Sequence, residues 1–241
     1  MPELTTKLEI NEGGVAILTL SRPAVANALN SQMALEIKDI FANLAGDIRA
    51  VILTGAGERA FCAGADLKQR AGFSLSEWEE QHQLFREVLH AIMGCPVPVI
   101  AAVNGAAYGG GLELALACDF IYAAETARFA LPEVTLGIMC GTGGTQTLPR
   151  AIGTRRAREL LYTGKPFSAT EAFALGLVNK ISAPENLLRD ALEVAKTIAT
   201  NPASSVAAIK RATTNMNLSL AEGLQLESEN YKKLLSQLTR S

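Results

Sequence analysis

Pro98-Val-Ile-Ala-Ala-Val-Asn-Gly-Ala-Ala-Tyr-Gly-Gly-Gly-Leu-Glu-Leu-Ala-Leu-Ala-Cys-Asp119 is the stretch whose reading decides the fold. Val99 to Val103 is a short apolar run, the pattern of a strand covered on both faces. Asn104-Gly105 breaks it, three glycines follow at Gly109 to Gly111, and Leu112 to Cys118 is Leu/Ala-rich and helical. The order is therefore buried strand, glycine turn, helix N-terminus. Glycines at such a turn let backbone N–H groups approach a ligand, and a helix start carries partial positive charge. Glu113, the one acid in this apolar segment, falls near the helix start. An acid beside a helix N-terminus in a cleft can move a proton next to a stabilised anion.

Working outward, Gly14 to Leu20 and Ala50 to Thr54 read as further strands. Asn30 or Ser31 caps a helix with apolar positions at Met33, Leu35, Ile37, Ile40, Phe41 and Leu44. Gly55-Ala-Gly-Glu-Arg-Ala60 spells GxGxxA, but the fingerprint for a dinucleotide needs a helix starting at its glycines. Phe61-Cys-Ala-Gly-Ala-Asp66 follows instead, another small-residue loop, which argues against that reading. Ser76-x-x-Glu79 is expected to cap a helix with an apolar stripe at Trp78, Phe85, Val88, Leu89 and Ile92. Phe120 to Ala124 and Arg128 to Ala130 are short strands, the second ending near Pro132-Glu133. Gly141-Thr-Gly-Gly-Thr-Gln146 is a glycine loop opening a helix, without the Lys-Ser/Thr of a P-loop. From about Thr154 the character becomes helical, with capping boxes at Ser168/Glu171 and Ser219/Glu222 and a last helix carrying the stripe Leu220, Leu224, Tyr231, Leu234 and Leu238. The reading is a mixed α/β body with a helical tail and no fixed-period repeat.

Composition bounds the function. The 241 residues suit one large domain, and 49% hydrophobic against 19% charged residues gives material for a substantial core. A formal charge of −2 at pH 7 does not favour nucleic acid as a partner. Cys62, Cys95, Cys118 and Cys140 are widely spaced with no CxxC, which fits a reducing compartment better than a disulfide frame. No apolar run reaches the roughly 18 residues of a membrane span. Met1 to Lys7 lacks a signal-peptide core, so a cytoplasmic location is expected.

Four features carry the chemistry: the loops Ala63 to Asp66 and Gly109 to Gly111, and the acids Glu113 and Glu133. Two small-residue loops, each after a buried strand, can aim one N–H apiece at the same carbonyl oxygen, an oxyanion hole. Each loop alone also reads as a tight turn, and each acid alone as one favoured by a helix start. His82 and His90, on one helix with no third ligand near, are not expected to bind a metal. Lys68-Gln-Arg70 and Lys210-Arg211 either meet phosphates or are solvated.

Taken together, Phe61-Cys-Ala-Gly-Ala-Asp-Leu67, Asn104-Gly-x-x-x-Gly-Gly-Gly-x-Glu-Leu-x-x-x-Cys-Asp119, Phe129-x-x-Pro-Glu133 and Gly141-x-Gly-Gly-Thr-Gln146 resemble the signature blocks of the crotonase (enoyl-CoA hydratase/isomerase) superfamily. They fall in family order and spacing, and the similarity runs from about Val15 to the chain end. The resemblance implies an α/β spiral of ββα units over residues 1–181, with a helical C-terminal region over 182–241 that packs trimers or hexamers. It implies an acyl-CoA thioester substrate whose oxygen lies between the N–H groups of Ala65 and Gly110. Ala63 and Ala65 would line the CoA site, with Ala24 and Lys68 as weaker candidates and Gly141 beside the acyl pocket. Superfamily hydratases carry both glutamates, so Glu113 and Glu133 point to an enoyl-CoA hydratase, with Glu113 activating water and Glu133 protonating Cα. Water is then the co-substrate, and neither metal nor redox cofactor is implied. A methylglutaconyl-CoA-type hydratase or an enoyl isomerase is the alternative, and an RNA-binding or catalytically silent relative belongs to a different class. Met139-Cys140 stands where Ile-Pro is usual, and the chain stops at Ser241 where relatives continue with a further helical tail.

Overall fold

The computed structural model describes residues 4–214 and 218–238; the chain end at Ser241, with the expected shortness of the tail, lies outside them. β1 (Thr6–Asn11) and β2 (Val15–Leu20) form a hairpin, followed by α1 (Ser31–Ala42). Three ββα turns follow. The first is β3 (Ala50–Gly55), β4 (Ala60–Cys62), the short α2 (Leu67–Arg70) and α3 (Leu75–Met93). The second is β5 (Val99–Val103), β6 (Ala106–Tyr108) and α4 (Gly110–Ala117). The third is β7 (Phe120–Ala124), β8 (Arg128–Ala130), a 3-10 turn at Pro132–Leu136, then α5 (Gly144–Ile152) and α6 (Thr154–Thr163). β9 (Phe167–Ser168), α7 (Ala169–Ala174) and β10 (Lys180–Ser182) precede α8 (Leu187–Thr200), α9 (Ala203–Thr214) and α10 (Leu220–Leu238).

Each turn places its first strand in one sheet and its second in another. The larger sheet has the order β1-β2-β3-β5-β7-β10, parallel throughout except for β1. The smaller has the order β4-β6-β8-β9, with only β9 antiparallel. Side chains alternate across the larger sheet. Ala16, Leu18, Leu20, Val51, Leu53, Val99, Ala101 and Val103 join the main core with Met33 and Ile37 of α1 and Val88 and Ile92 of α3. Val15, Ile17, Ala50, Ile52, Ile100 and Ala102 meet Leu187, Ala191 and Ala195 of α8 on the opposite face. With both faces covered, β3 and β5 are apolar but for Thr54 and Gly55, which is why they read as nearly unbroken runs.

Several expectations need correction. Ala60–Cys62 and Ala106–Tyr108, read as loop and turn, are strands, and β9 and β10 interrupt the region read as helical. Strands of two or three residues hold too few side chains to display a period. The helix expected to be capped by Ser76 begins earlier: Ser74 is the cap, with Ser74 N–H and hydroxyl donating to Glu77 Oε2 and Glu77 N–H donating back to Ser74 Oγ. The boxes at Ser168/Glu171 and Ser219/Glu222 are present as expected. Leu220, Leu224 and Tyr231 of α10 are exposed on this chain rather than packed. Among the described residues no helix is long and apolar enough to cross a membrane.

Candidate active site

The small-residue loops meet because glycines let their backbones touch. A Cβ on Gly111, at the start of α4, would overlap the carbonyl oxygen of Cys62, so the α4 backbone packs directly on β4. Gly64 holds a φ of +94°, and a Cβ there would lie 2.8 Å from Tyr108 O and 3.4 Å from Gly110 N. Leu29 N–H donates to Gly64 O and Asp66 N–H donates to Leu29 O, so the bridge between Leu29 and Ala65 leaves Ala65's own N–H unused. Gly110 is the first residue of α4, where an N–H has no intrahelical partner. Two N–H groups without an acceptor among the described residues thus lie side by side.

Asp66 fixes the first loop. It caps α2 by accepting from Lys68 N–H and Gln69 N–H, and pairs with Arg22 at 2.9 Å. Burial opposes its charge, but the Arg22 guanidinium and the two N–H groups more than offset that and hold its carboxyl below the usual carboxylate range. Asn104 fixes the turn between β3 and β4, accepting from Gly55 N–H at 3.0 Å and donating to Gly57 O at 2.6 Å.

Glu113 is buried, 3% exposed, and the glycine loop before α5 wraps its carboxylate. Thr142 N–H and Gly144 N–H donate to Oε1 at 2.9 and 2.8 Å, and the Thr142 hydroxyl donates to Oε2. Glu133, half-buried on the 3-10 turn, has a different environment. Burial raises its pKa, the nearby charge of Glu113 adds to that, and the Cys140 thiol donating to Oε2 at 3.6 Å works the other way. Two carboxyl groups of unlike environment therefore face one site.

Ala63, Ala65, Gly110, Glu113, Glu133 and Gly141 all line one cleft of about 640 Å³. Ala24 and Lys68 lie outside its lining, exposed on the surface. The cleft also takes in Arg70, Trp78, His82, Phe85, Tyr108 and Thr142, none of which was expected to form its wall. Of these, Thr142 lies inside a glycine loop already singled out and Arg70 in a basic cluster read as meeting phosphate or solvent, but neither reading placed the residue in the cleft. His82 Nε2 lies 2.7 Å from Gly141 O, tying α3 to the loop that holds Glu113. Lys210 Nζ pairs with Asp119 at 2.7 Å and donates to Val97 O, pinning α9 to the strand entry. Among the described residues no group of His, Cys, Asp or Glu is arranged to hold a metal ion.

Fold and cleft together define an enzyme of the crotonase superfamily. The chain belongs to the enoyl-CoA hydratase/isomerase family, whose profile matches residues 10–241. It is 40% identical over 237 residues to the short-chain-enoyl-CoA hydratase of Clostridium acetobutylicum, covering 97% of this chain and 91% of that protein. It is 46% identical over 186 residues to the crotonyl-CoA hydratase of Syntrophomonas wolfei, covering 76% and 72%. The crystal structure of an enoyl-CoA hydratase from Bacillus anthracis superposes with a TM-score of 0.95 at 42% identity, covering 96% of this chain and 91% of that one.

Proposed function

We propose that this chain is an enoyl-CoA hydratase that adds water syn across the 2,3 double bond of a short or medium 2-enoyl-CoA, giving a 3-hydroxyacyl-CoA. The observation that carries the reading is the convergence of Glu113 and Glu133 with the Ala65 and Gly110 loops on one cleft. The thioester oxygen accepts from the Ala65 and Gly110 N–H groups, which stabilise the enolate as it forms. Glu113, held by its three donors, takes a proton from water while the water oxygen bonds to Cβ. Glu133, whose pKa is raised by burial, gives its proton to Cα. The Cβ–O and Cα–H bonds form as the double bond is consumed, and the oxidation level of the whole is unchanged, so no redox cofactor takes part.

Ala63, Ala65, Lys68, Ala24 and Gly141 are assigned to the CoA and acyl portions of the substrate, with Ala63, Ala65 and Gly141 supported by their place in the cleft. Residues 1–181 are assigned as the spiral core and 182–241 as a helical region that packs homotrimers or hexamers. Exposed Ile209, Leu220, Leu224 and Tyr231 support that packing. A cytoplasmic location is supported by Cys62, Cys95, Cys118 and Cys140, all free and buried.

The test is hydration of crotonyl-CoA, followed by loss of the conjugated enoyl absorbance, for wild type beside Glu113→Gln and Glu133→Gln. Turnover that falls by orders of magnitude in each variant is expected. Folded wild type inactive on crotonyl-CoA and on longer enoyl-CoAs would sink the reading.

A further inference from the structure

Arg70 places a cation on the wall of the cleft, outside every ion pair among the described residues. It ends α2, one helical turn beyond Ala65, and is only half-buried. Its guanidinium lies 4.3 Å from the ring centroid of Trp78 and 5.3 Å from that of Phe85, both on α3. Its Nε–H donates to Gln81 Oε1 at 2.6 Å. Gln81 is itself 4% exposed, and its amide donates to Ser31 Oγ and Gln69 Oε1, each at 2.8 Å. The acceptor that aims the guanidinium is therefore fixed from the core side, and two rings set its position. Among the described residues the ion pairs do not include Arg70, and no acceptor meets its Nη1 or Nη2. Glu79, exposed on the same wall, makes no ion pair with it.

Desolvation works against a charge held this way, and a charge so held is costly without a partner. Guanidinium is also the side chain whose paired N–H groups match a carboxylate at two points. Trp78, His82 and Phe85 lie on one stripe of α3, and His82 touches Gly141, next to the Thr142 that holds Glu113. The stripe thus links the Glu113 loop to the guanidinium along the cleft wall.

We propose that Arg70 recognises a carboxylate at the far end of the acyl chain, so that the preferred substrates are enoyl thioesters of dicarboxylic acids. Gln81, Trp78 and Phe85 position the guanidinium, and Nη1 and Nη2 pair with the substrate. This rests on the acyl-thioester reading of the cleft.

The test is calorimetric binding of two saturated thioesters of equal carbon count, adipyl-CoA and hexanoyl-CoA, which cannot be hydrated. Wild type is expected to bind adipyl-CoA at least about tenfold more tightly, the scale of one charge-assisted hydrogen-bonded contact. Arg70→Met brings the ratio close to one. Arg70→Lys, which keeps the charge but not the fork, retains part of it and serves as the check if the methionine variant folds poorly. Equal affinities in wild type, or a preference undiminished in a folded Arg70→Met, would overturn the proposal. Failure to hydrate crotonyl-CoA and longer enoyl-CoAs with the binding preference intact would strike only the hydratase reading, whereas binding of neither thioester would overturn both.

Discussion

Thr142 grips Glu113 by two of its own atoms, its N–H meeting Oε1 at 2.9 Å and its hydroxyl meeting Oε2. Together with Gly144 N–H, this fixes the rotation of the carboxylate as well as its position. Thr142→Val keeps the backbone bond and the side-chain shape and removes only the hydroxyl. A hydrogen bond to a charged group contributes about 1.5–3 kcal/mol, so kcat on crotonyl-CoA is expected to fall roughly 10- to 100-fold with KM little changed. Thr142→Ser should recover most of the loss. Unchanged kcat in Thr142→Val would mean that the two backbone donors suffice to orient Glu113.

Glu133 makes stability depend on pH in the opposite sense from an ion-paired acid. Its folded pKa is raised above the ordinary 4.5, by burial first and then by the charge of Glu113. Its contribution to stability is therefore complete below 4.5, where folded and unfolded chains both hold the proton. It is lost as pH rises through the raised folded value, because ionising the buried group costs more than ionising the free one. Glu133→Gln removes that loss. Urea midpoints for wild type and variant should separate in the variant's favour as pH rises from about 4 to about 7. A gap that closes over this range, or that stays constant, would contradict the sign.

How far the site could be read beforehand follows from where its information lies. β3 and β5 were legible because a strand covered on both faces is apolar nearly throughout, and Glu113 was legible as the one acid in an apolar helix start. β4 and β6 were not, since three residues cannot display alternation, yet these strands are what bring Gly64 and Gly110 together. Arg70 read as a phosphate contact or a solvated cation because nothing local announces that Gln81 and Trp78, on the next helix, will fold back to hold it. Thr142 lay inside a visible glycine loop, but its service to Glu113 depends on a tertiary approach. Residues chosen for local conformation were readable, whereas those chosen for a distant partner were not.

The packing of α4 on β4 predicts a sharp contrast between two glycines. Gly111→Ala would drive a methyl group into the Cys62 carbonyl, where both sides are backbone and neither can swing away. A loss of about 3 kcal/mol is expected, the upper end for an inserted methyl in a tight core. Gly72→Ala, at a turn where a Cβ meets nothing within 4 Å, should stay within about 0.5 kcal/mol of wild type. Chemical denaturation of the two variants decides it. Similar stabilities would mean that the α4 backbone can lift from Cys62 at little cost.

Cys140 is the side-chain donor that reaches Glu133 among the described residues, with Sγ 3.6 Å from Oε2. Burial, and then the charges of Glu133 and Glu113, push its own pKa well up, so it remains a thiol and keeps its proton available to donate. Its hydrogen bond lowers the Glu133 value against the larger effect of burial. Where Glu133 must be protonated to serve Cα, the fall in kcat/KM at high pH reports its ionisation. Cys140→Ala removes the donor and should move that limb to higher pH by roughly half a unit, the equivalent of a weak hydrogen bond of about 0.5–1 kcal/mol. Cys140→Ser supplies a stronger donor and should move it the other way. Opposite displacements from one position are not expected of altered packing alone, because both replacements shrink or preserve the side chain without adding bulk. A limb that stays fixed in both variants would show that the thiol lies beside the carboxylate without bonding to it.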